Sequence, residues 1–458
     1  MTSTNRAQRP GELWTLTRLA VPLAAAQVGL VAMGFVDVAI VGRLGRVPLA
    51  AVGLGNAIFL AFAVVGQGMM MGLDPLVAQA LGARDRVGAR RMLWQGVWLA
   101  LAVSAVVAIP IVLLPLPLEV LGVASDITAE TQRYTWLRAL SLPPMLLFVG
   151  VRSYLQAHRI TWPMVVSVIL ANIANFFLDV VFVFGAGSIP GMGAAGAAVA
   201  TVIGTMLQLG VLGVGLWTVR VPEFSRALRR MDPAMMKQAL FVGLPVGLQM
   251  GAEVGVFALA GFLAARMSAT AASAHQVAIT LASVSFCVAV GVSSAGAVRV
   301  GHGIGAGDTG AARRSGLLAF ALGGGFMAAS ALLFLLAPRW LASTLTDQED
   351  ILRAAVPLLA VAAAFQISDG LQAVGAGVLR GAGDTRFAFV ANLIGHYGVG
   401  LPIALFAGIR LGLGVEGLWY GLAAGLTAVA LALFVRFLKL SSKPIAALRS
   451  DRAAPAAH

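Results

Sequence analysis

The stretch Trp14–Gly42 reads WTLTRLAVPLAAAQVGLVAMGFVDVAIVG, and within it only Arg18 and Asp37 carry charge. At 1.5 Å of rise per residue such a run spans the roughly 30 Å hydrocarbon layer of a bilayer, where only a helix satisfies the backbone over this length. The pattern recurs along the chain, apolar runs of about twenty residues or more separated by short basic clusters, giving twelve candidate spans. Hydrophobic residues make up 59% of the 458 and charged ones only 11%, with a mean hydropathy of +0.90. A soluble globular chain is about 25% charged, so an ordinary soluble enzyme is excluded. The expected fold is an all-α polytopic membrane protein.

The formal charge is +13, from 32 Lys and Arg against 19 Asp and Glu. Of those 32 cations, 24 fall at the termini and in loops on one side and 8 on the other. By the positive-inside rule, both termini are expected in the cytoplasm. The runs Arg84, Arg86, Arg90, Arg91 and Arg226, Arg229, Arg230 then act as topology anchors, and no nucleic-acid partner is expected. Met1 to Gly11 carries Arg6 and Arg9 without an apolar core, so no cleaved signal peptide is expected. Cys287, the single cysteine, lies within an apolar span and reads as a small buried hydrophobe.

The two halves match at a constant offset of 223. Pro22 pairs with Pro245, Ala51 with Ala274, Gly68 with Gly291 and Gly82 with Gly305. Asp85-Arg-Val-Gly-Ala-Arg-Arg91 pairs with Asp308-Thr-Gly-Ala-Ala-Arg-Arg314. That offset holds over about seventy residues; later, with small shifts in offset, Leu155 pairs with Leu379 and Gly196 with Gly417. Each half holds six spans, an even number, so both enter from the same side and the repeat is parallel, about an axis along the membrane normal. The expected units are a first lobe over 12–218, a cytoplasmic linker over 219–236, a second lobe over 237–440 and a cytoplasmic tail over 441–458.

Enzyme signatures are missing. There is no Gly-Lys pair for a phosphate loop, no His-Glu pair for a zinc helix and no Gly-x-Ser-x-Gly elbow. Gly412-Leu-Gly-Val-Glu-Gly417 matches a dinucleotide pattern by its letters, but it opens a span with no strand before it. No cofactor is expected, and energy for transport would come from an ion gradient.

Acids inside spans are costly and mark function by default. Asp37 and Asp179 both fall in the outer half of the first lobe, and Asn175, four residues before Asp179, shares its helix face. Two carboxylates and an amide oxygen suit a hard cation such as Na⁺, or a proton relay. Glu253 and Asp369 sit nearer the midplane of the second lobe, where an acid facing an apolar cavity can exchange a proton for an organic cation. Asp74 beside Pro75, Asp384 and Glu416 read as interfacial. Gln249, Gln366, Gln372 and Tyr397 are candidates for the substrate cavity, with helix-to-helix bonding as the alternative, which also holds for His396. Met33, Met69, Met70, Met71, Phe59 and Phe62 could line a pocket for flat cations.

These features together resemble a known family. MGFVDVAIVGRLG at Met33–Gly45, DPLVAQALGARD at Asp74–Asp85 and SDGLQAVGAGVLRGAGDT at Ser368–Thr385 are similar to the multidrug and toxic compound extrusion (MATE) antiporters. HYGVGLPIALFAG at His396–Gly408 brings the likeness closer to their bacterial NorM branch. The resemblance covers Leu13 to Leu440. It implies twelve helices in two pseudo-symmetric six-helix lobes, and export of cationic amphipathic compounds in exchange for Na⁺ or H⁺ through a cavity between the lobes. The family's first-span acid falls on Asp37, its fifth-span polar pair on Asn175 and Asp179, its seventh-span acid on Glu253 and its tenth-span acid on Asp369. Many NorM-branch members have asparagine where Asp179 stands. A monomer in the bacterial inner membrane is the expectation, with a flippase or exporter of a specific lipid-linked or metabolite substrate as the alternative.

Overall fold

The computed structural model describes residues 11–219 and 226–448. The segment up to residue 10, residues 220–225 of the expected linker, and the tail from 449 lie outside the described residues. Among the described residues, twelve helical spans are long and apolar enough to cross a membrane. The first lobe holds Glu12–Leu44, Arg46–Gly82, Arg86–Leu118, Ser125–Ala157, Trp162–Phe184 and Ala194–Trp217. The second holds Pro233–Met267, Ala269–Gly305, Thr309–Leu336, Glu349–Ala382, Thr385–Arg410 and Gly414–Leu440.

Several helices start earlier than their apolar stretches. The third begins at Arg86 rather than Met92 and the fourth at Ser125 rather than Arg133. Their first turns are polar, which a hydropathy reading does not register, and that of the third is fixed by a side-chain cap. The repeated motif at Asp85 and Asp308 is such a cap. Asp85 Oδ1 accepts from the Gly88 N–H at 2.7 Å and Asp308 Oδ1 from the Ala311 N–H at 2.8 Å. The basic pairs that follow, Arg90-Arg91 (expected as topology anchors) and its repeat Arg313-Arg314, therefore ride on the second turns of the third and ninth spans. Departures from α-helix are small. A two-residue antiparallel ladder, Gly185–Ala186 with Ile189–Pro190, links the fifth and sixth spans, and the eleventh loosens into π-helix at Ile394–Gly400 and Phe406–Arg410.

The lobes meet through glycine. The first span packs on the eighth, and the second on the seventh and eighth. The spaced pairs Gly68/Gly72 and Gly243/Gly247 face each other so closely that a Cβ on Gly68 would stand 2.6 Å from the Gly247 Cα, and one on Gly72 2.5 Å from the Gly243 Cα. Small residues four apart let helix backbones touch in this way. The related contact is present across the pseudo-twofold: Gly291 faces Ala24 with a Cβ-to-backbone approach of 2.6 Å. Likewise Gly82 rests on the backbone of His302, and Gly305 on that of Gln79. The 223 offset carries each contact onto its counterpart, Gly68 to Gly291 and Ala24 to Gly247, Gly82 to Gly305 and Gln79 to His302, so the sequence repeat is also a repeat of packing.

The polar contacts between lobes cluster at the end that carries the described termini. Glu12 takes a forked pair from Arg299 at 2.5 and 2.6 Å and the Ser315 hydroxyl at 2.6 Å. Gln79 Nε2 donates to the Gly381 carbonyl at 3.0 Å, while its Oε1 accepts from the Leu448 N–H at 2.7 Å. Arg91 ties the first lobe to the linker through Asp232 at 2.8 Å. This end is held shut.

Candidate functional site

Two separate groups of polar residues form inside the bundle. In the first lobe, Asp37, Asn175 and Asp179 are all buried, and Asn175 and Asp179, one turn apart on the fifth span, stand beside Asp37 on the first. Thr201 of the sixth span joins them, its hydroxyl donating to Asp37 Oδ2 at 3.1 Å. Asp37 Oδ1, both carboxylate oxygens of Asp179 and both ends of the Asn175 amide are buried with no well-formed hydrogen bond among the described residues. Buried polar atoms of native proteins are rarely left so, and a group of oxygens in this condition is suited to a shared proton or a small hard cation. Among the described residues no three His, Cys, Asp or Glu side chains gather for a metal, so a cation here would rest on two carboxylates, an amide oxygen and a hydroxyl. The nearby positive charge is Arg138, whose guanidinium lies over the Phe59 ring at 4.7 Å. Neither Thr201 nor Arg138 was a sequence candidate. Thr201, Thr205 and Gln208 nevertheless form a polar stripe at helical spacing, a signal that could have found the first.

The second group lines a cavity of about 550 Å³. Glu253 and Asp369 both reach it, with Gln249 and Gln372 beside them and Phe257, Phe286 and Phe365 as aromatic walls. Its lining comes from the second lobe except for Val64 and Met71. The helix faces are regular. Gln249, Glu253 and Phe257 repeat every four residues, and Phe365, Asp369, Gln372 and Arg380 follow i, i+4, i+7 and i+15, so each set shares one side of its helix. Such walls suit a flat, partly apolar ligand with a positive charge.

Two cavity expectations differ from what the structure places. Gln366 is buried away from the lining, its Oε1 accepting from Ser285 at 2.5 Å and Ser330 at 2.9 Å. Tyr397 donates to the Ala252 carbonyl at 2.8 Å and ties the eleventh span to the seventh. Both serve helix contacts because hydroxyl and carbonyl partners lie within reach on neighbouring spans. Of the Met and Phe runs, Met71 lines the cavity, whereas Met33 and Phe59 are buried in first-lobe packing. His396 is buried with Phe257 edge-on at 6.3 Å.

Asp74 is not interfacial. It is buried and pairs across the lobes with buried Arg380 at 3.2 Å, at the cavity's closed end, with Arg152 near enough to act on it. Its place beside Pro75 at a helix end concealed this, because the second span runs on to Gly82. Removing one member of a buried pair leaves the other charge uncompensated and costs about 3–5 kcal/mol. Asp74→Ala is therefore expected to lower the melting temperature of the purified protein by several degrees, and an unchanged melting curve would remove the pair from the account of lobe closure.

The MatE family profile matches residues 22–181 and 245–406, two copies whose starts are offset by the same 223 residues. The chain belongs to the MatE family. It is 37% identical over 449 residues to the multidrug resistance protein NorM of Burkholderia vietnamiensis, covering 94% of this chain and 95% of that one. It is 32% identical over 450 residues to a probable multidrug resistance protein NorM of Rhizobium meliloti strain 1021, at 96% and 94% coverage. Among solved structures, a multidrug resistance MATE family transporter in an outward-facing conformation matches with a TM-score of 0.85 at 18% identity, over 96% of this chain and 99% of that one. This MatE chain is thus a multi-pass membrane protein with the two-lobe fold of transporters, and its relatives are not enzymes.

Proposed function

We propose that this MatE protein is a multidrug efflux transporter that exports cationic amphipathic compounds in exchange for Na⁺ or H⁺. The observation that carries the reading is the pairing of Glu253 and Asp369 in a cavity walled by three phenylalanines. The acids take the positive charge of the compound, and the rings take its flat apolar part. Asp37, Asn175, Asp179 and Thr201 bind the coupling ion in the other lobe, so ion and drug are linked through movement of the lobes rather than by contact. In this reading the protein is a monomer in the bacterial inner membrane with both termini cytoplasmic. The closed end then faces the cytoplasm and the cavity opens outward. One net charge moving down 100 mV releases about 2.3 kcal/mol, sufficient for a drug gradient of roughly 50-fold.

A flippase for lipid-linked sugars would need cavity cations for a pyrophosphate. Here the one arginine of the lining, Arg380, is already paired with Asp74, which favours the drug reading. The test is efflux of a fluorescent organic cation from proteoliposomes under an imposed Na⁺ gradient and, separately, an imposed pH gradient. Uphill movement under either identifies a coupled exporter and its ion, whereas none under both, with folded protein, overturns the proposal. Glu253→Gln is expected to weaken binding of cationic compounds by about tenfold, the equivalent of 1.4 kcal/mol, and of neutral ones far less. Equal losses for both classes would count against charge pairing.

A further inference from the structure

A second, basic opening lies between the lobes at the end carrying the termini. Two cavities of about 750 and 620 Å³ share Arg159, Ile160, Thr218 and Arg299 in their linings. The larger adds Arg84 and Arg86, the smaller Arg18. Arg299 is neutralised by Glu12, and Asp308, a further carboxylate of the lining, caps a helix. Arg18, Arg84, Arg86 and Arg159 form no ion pair among the described residues. Among the described residues the cleft therefore holds an excess of cations, with Glu12 the one carboxylate acting on both Arg299 and Arg159.

The backbone marks two of these arginines. Arg84 and Arg159 have φ of +62° and +61°, and among the described residues they are the non-glycine positions in the left-handed region. Each follows the end of a helix. The Arg84 N–H donates to the Leu81 carbonyl at 3.0 Å and the Arg159 N–H to that of Gln156 at 2.8 Å. At the repeat-related positions of the second lobe, the residues are Gly307 and Gly383, with φ of +74° and +84° and the same hydrogen bonds to Ile304 and Arg380. Glycine is the residue that this turn favours. The second lobe has it at both places, and the first lobe has an unpaired arginine at both, each lining the same cleft. Strained backbone kept at a cavity is a sign of use.

We propose that this cleft is a phosphate-binding site and that an anionic phospholipid supplies the phosphate. Guanidinium forks match phosphate oxygens and hold them by charge-assisted bonds, and basic pockets between spans at the cytoplasmic face favour anionic headgroups. The smaller cavity is flanked by Trp14 and Trp162, which are 61% and 50% exposed. Tryptophans in that condition sit at headgroup depth, with the acyl chains beside them. The lipid bridges first-lobe arginines and the eighth span of the second lobe, and so favours the conformer shut at this end.

The test uses the purified full-length chain in detergent, titrated by native mass spectrometry with phosphatidylglycerol or with phosphatidylethanolamine of the same acyl chains, and in a third arm with inorganic phosphate. Phosphatidylglycerol is expected to bind at least about tenfold more tightly than phosphatidylethanolamine. The double variant Arg84→Gly, Arg159→Gly is expected to lose that preference while melting no lower than the parent, since glycine suits both turns. Arg313→Gln with Arg314→Gln removes the same charge at the same end outside the cleft and is expected to keep the preference. Undiminished phosphatidylglycerol binding by the glycine variant overturns the site, as does an equal loss in the control. Inorganic phosphate binding with no lipid preference supports the phosphate site and overturns the lipid assignment.

Discussion

Asp37→Asn is expected to lower ion-driven uphill efflux by about 100-fold or more while leaving drug affinity within about threefold of the parent, because a 2.7 kcal/mol change corresponds to two decades. Asp37 is the residue at which three spans of the first lobe meet. It carries the Thr201 hydroxyl bond, faces Asp179 and Asn175, and keeps one carboxylate oxygen unpartnered. Two carboxylates in contact away from water need a proton or a cation between them. Asparagine fills the same volume but offers one oxygen and no charge, so the site loses the feature that makes an ion worth binding. The drug cavity draws its lining from the other lobe apart from Val64 and Met71, so equilibrium binding of a fluorescent cation is expected to survive. Asp179→Asn is expected to give the same phenotype, and the double variant little more than either, since the two act as one site. Efflux and binding measured on the same preparations separate the outcomes. Normal uphill efflux by Asp37→Asn removes the first-lobe site from coupling, and loss of drug binding with efflux merges the two sites into one.

The parts of this protein legible in sequence were those with one physical cause. Apolar length gives a span, and an acid within it stands out because hydrocarbon penalises charge, so Asp37, Asp179, Glu253 and Asp369 were visible. Their grouping followed where a helix face was regular, as with Asn175 and Asp179. What remained hidden depended on tertiary partners. Asp74 read as interfacial until Arg380, more than three hundred residues later, was found against it. Gln366 was as polar as Gln372, yet two serines from neighbouring spans claim it. Phe286 and Phe365 carried nothing in the sequence to set them apart from other aromatics, and it is the packing of the second-lobe spans that makes them cavity walls. The arginines at φ near +60° were hidden most completely, since the repeat that aligns them with Gly307 and Gly383 carries no backbone angles.

Gly72→Leu is expected to hold open the end that is closed here and to abolish transport. A Cβ at position 72 would lie 2.5 Å from the Gly243 Cα and N and 2.8 Å from the Ala239 carbonyl oxygen. Those are backbone atoms of the facing helix, so no rotamer change relieves the clash. Overpacking a core that can relax costs about 1–3 kcal/mol, and here relaxation means separating the second span from the seventh. Each 1.4 kcal/mol moves the balance between conformers tenfold, so a conformer with this end shut would become rare. The inter-lobe contacts of Glu12, Gln79 and Asp74 would part with it. Spin labels replacing Arg86 and Arg314, exposed on the two lobes at this end, in a background lacking Cys287, measure the separation directly. A longer distance with efflux reduced by about 100-fold is the expected result, two decades for roughly 2.7 kcal/mol. Gly325→Leu serves as the control, because a Cβ there meets nothing within 4 Å, and it is expected to transport normally at the parental distance. A Gly72→Leu protein with unchanged distance and efflux would mean that the glycine crossing is not what shuts this end. The burden would then fall on the polar contacts, the buried Asp74–Arg380 pair first, because losing one of its members leaves the other charge uncompensated while this end is shut.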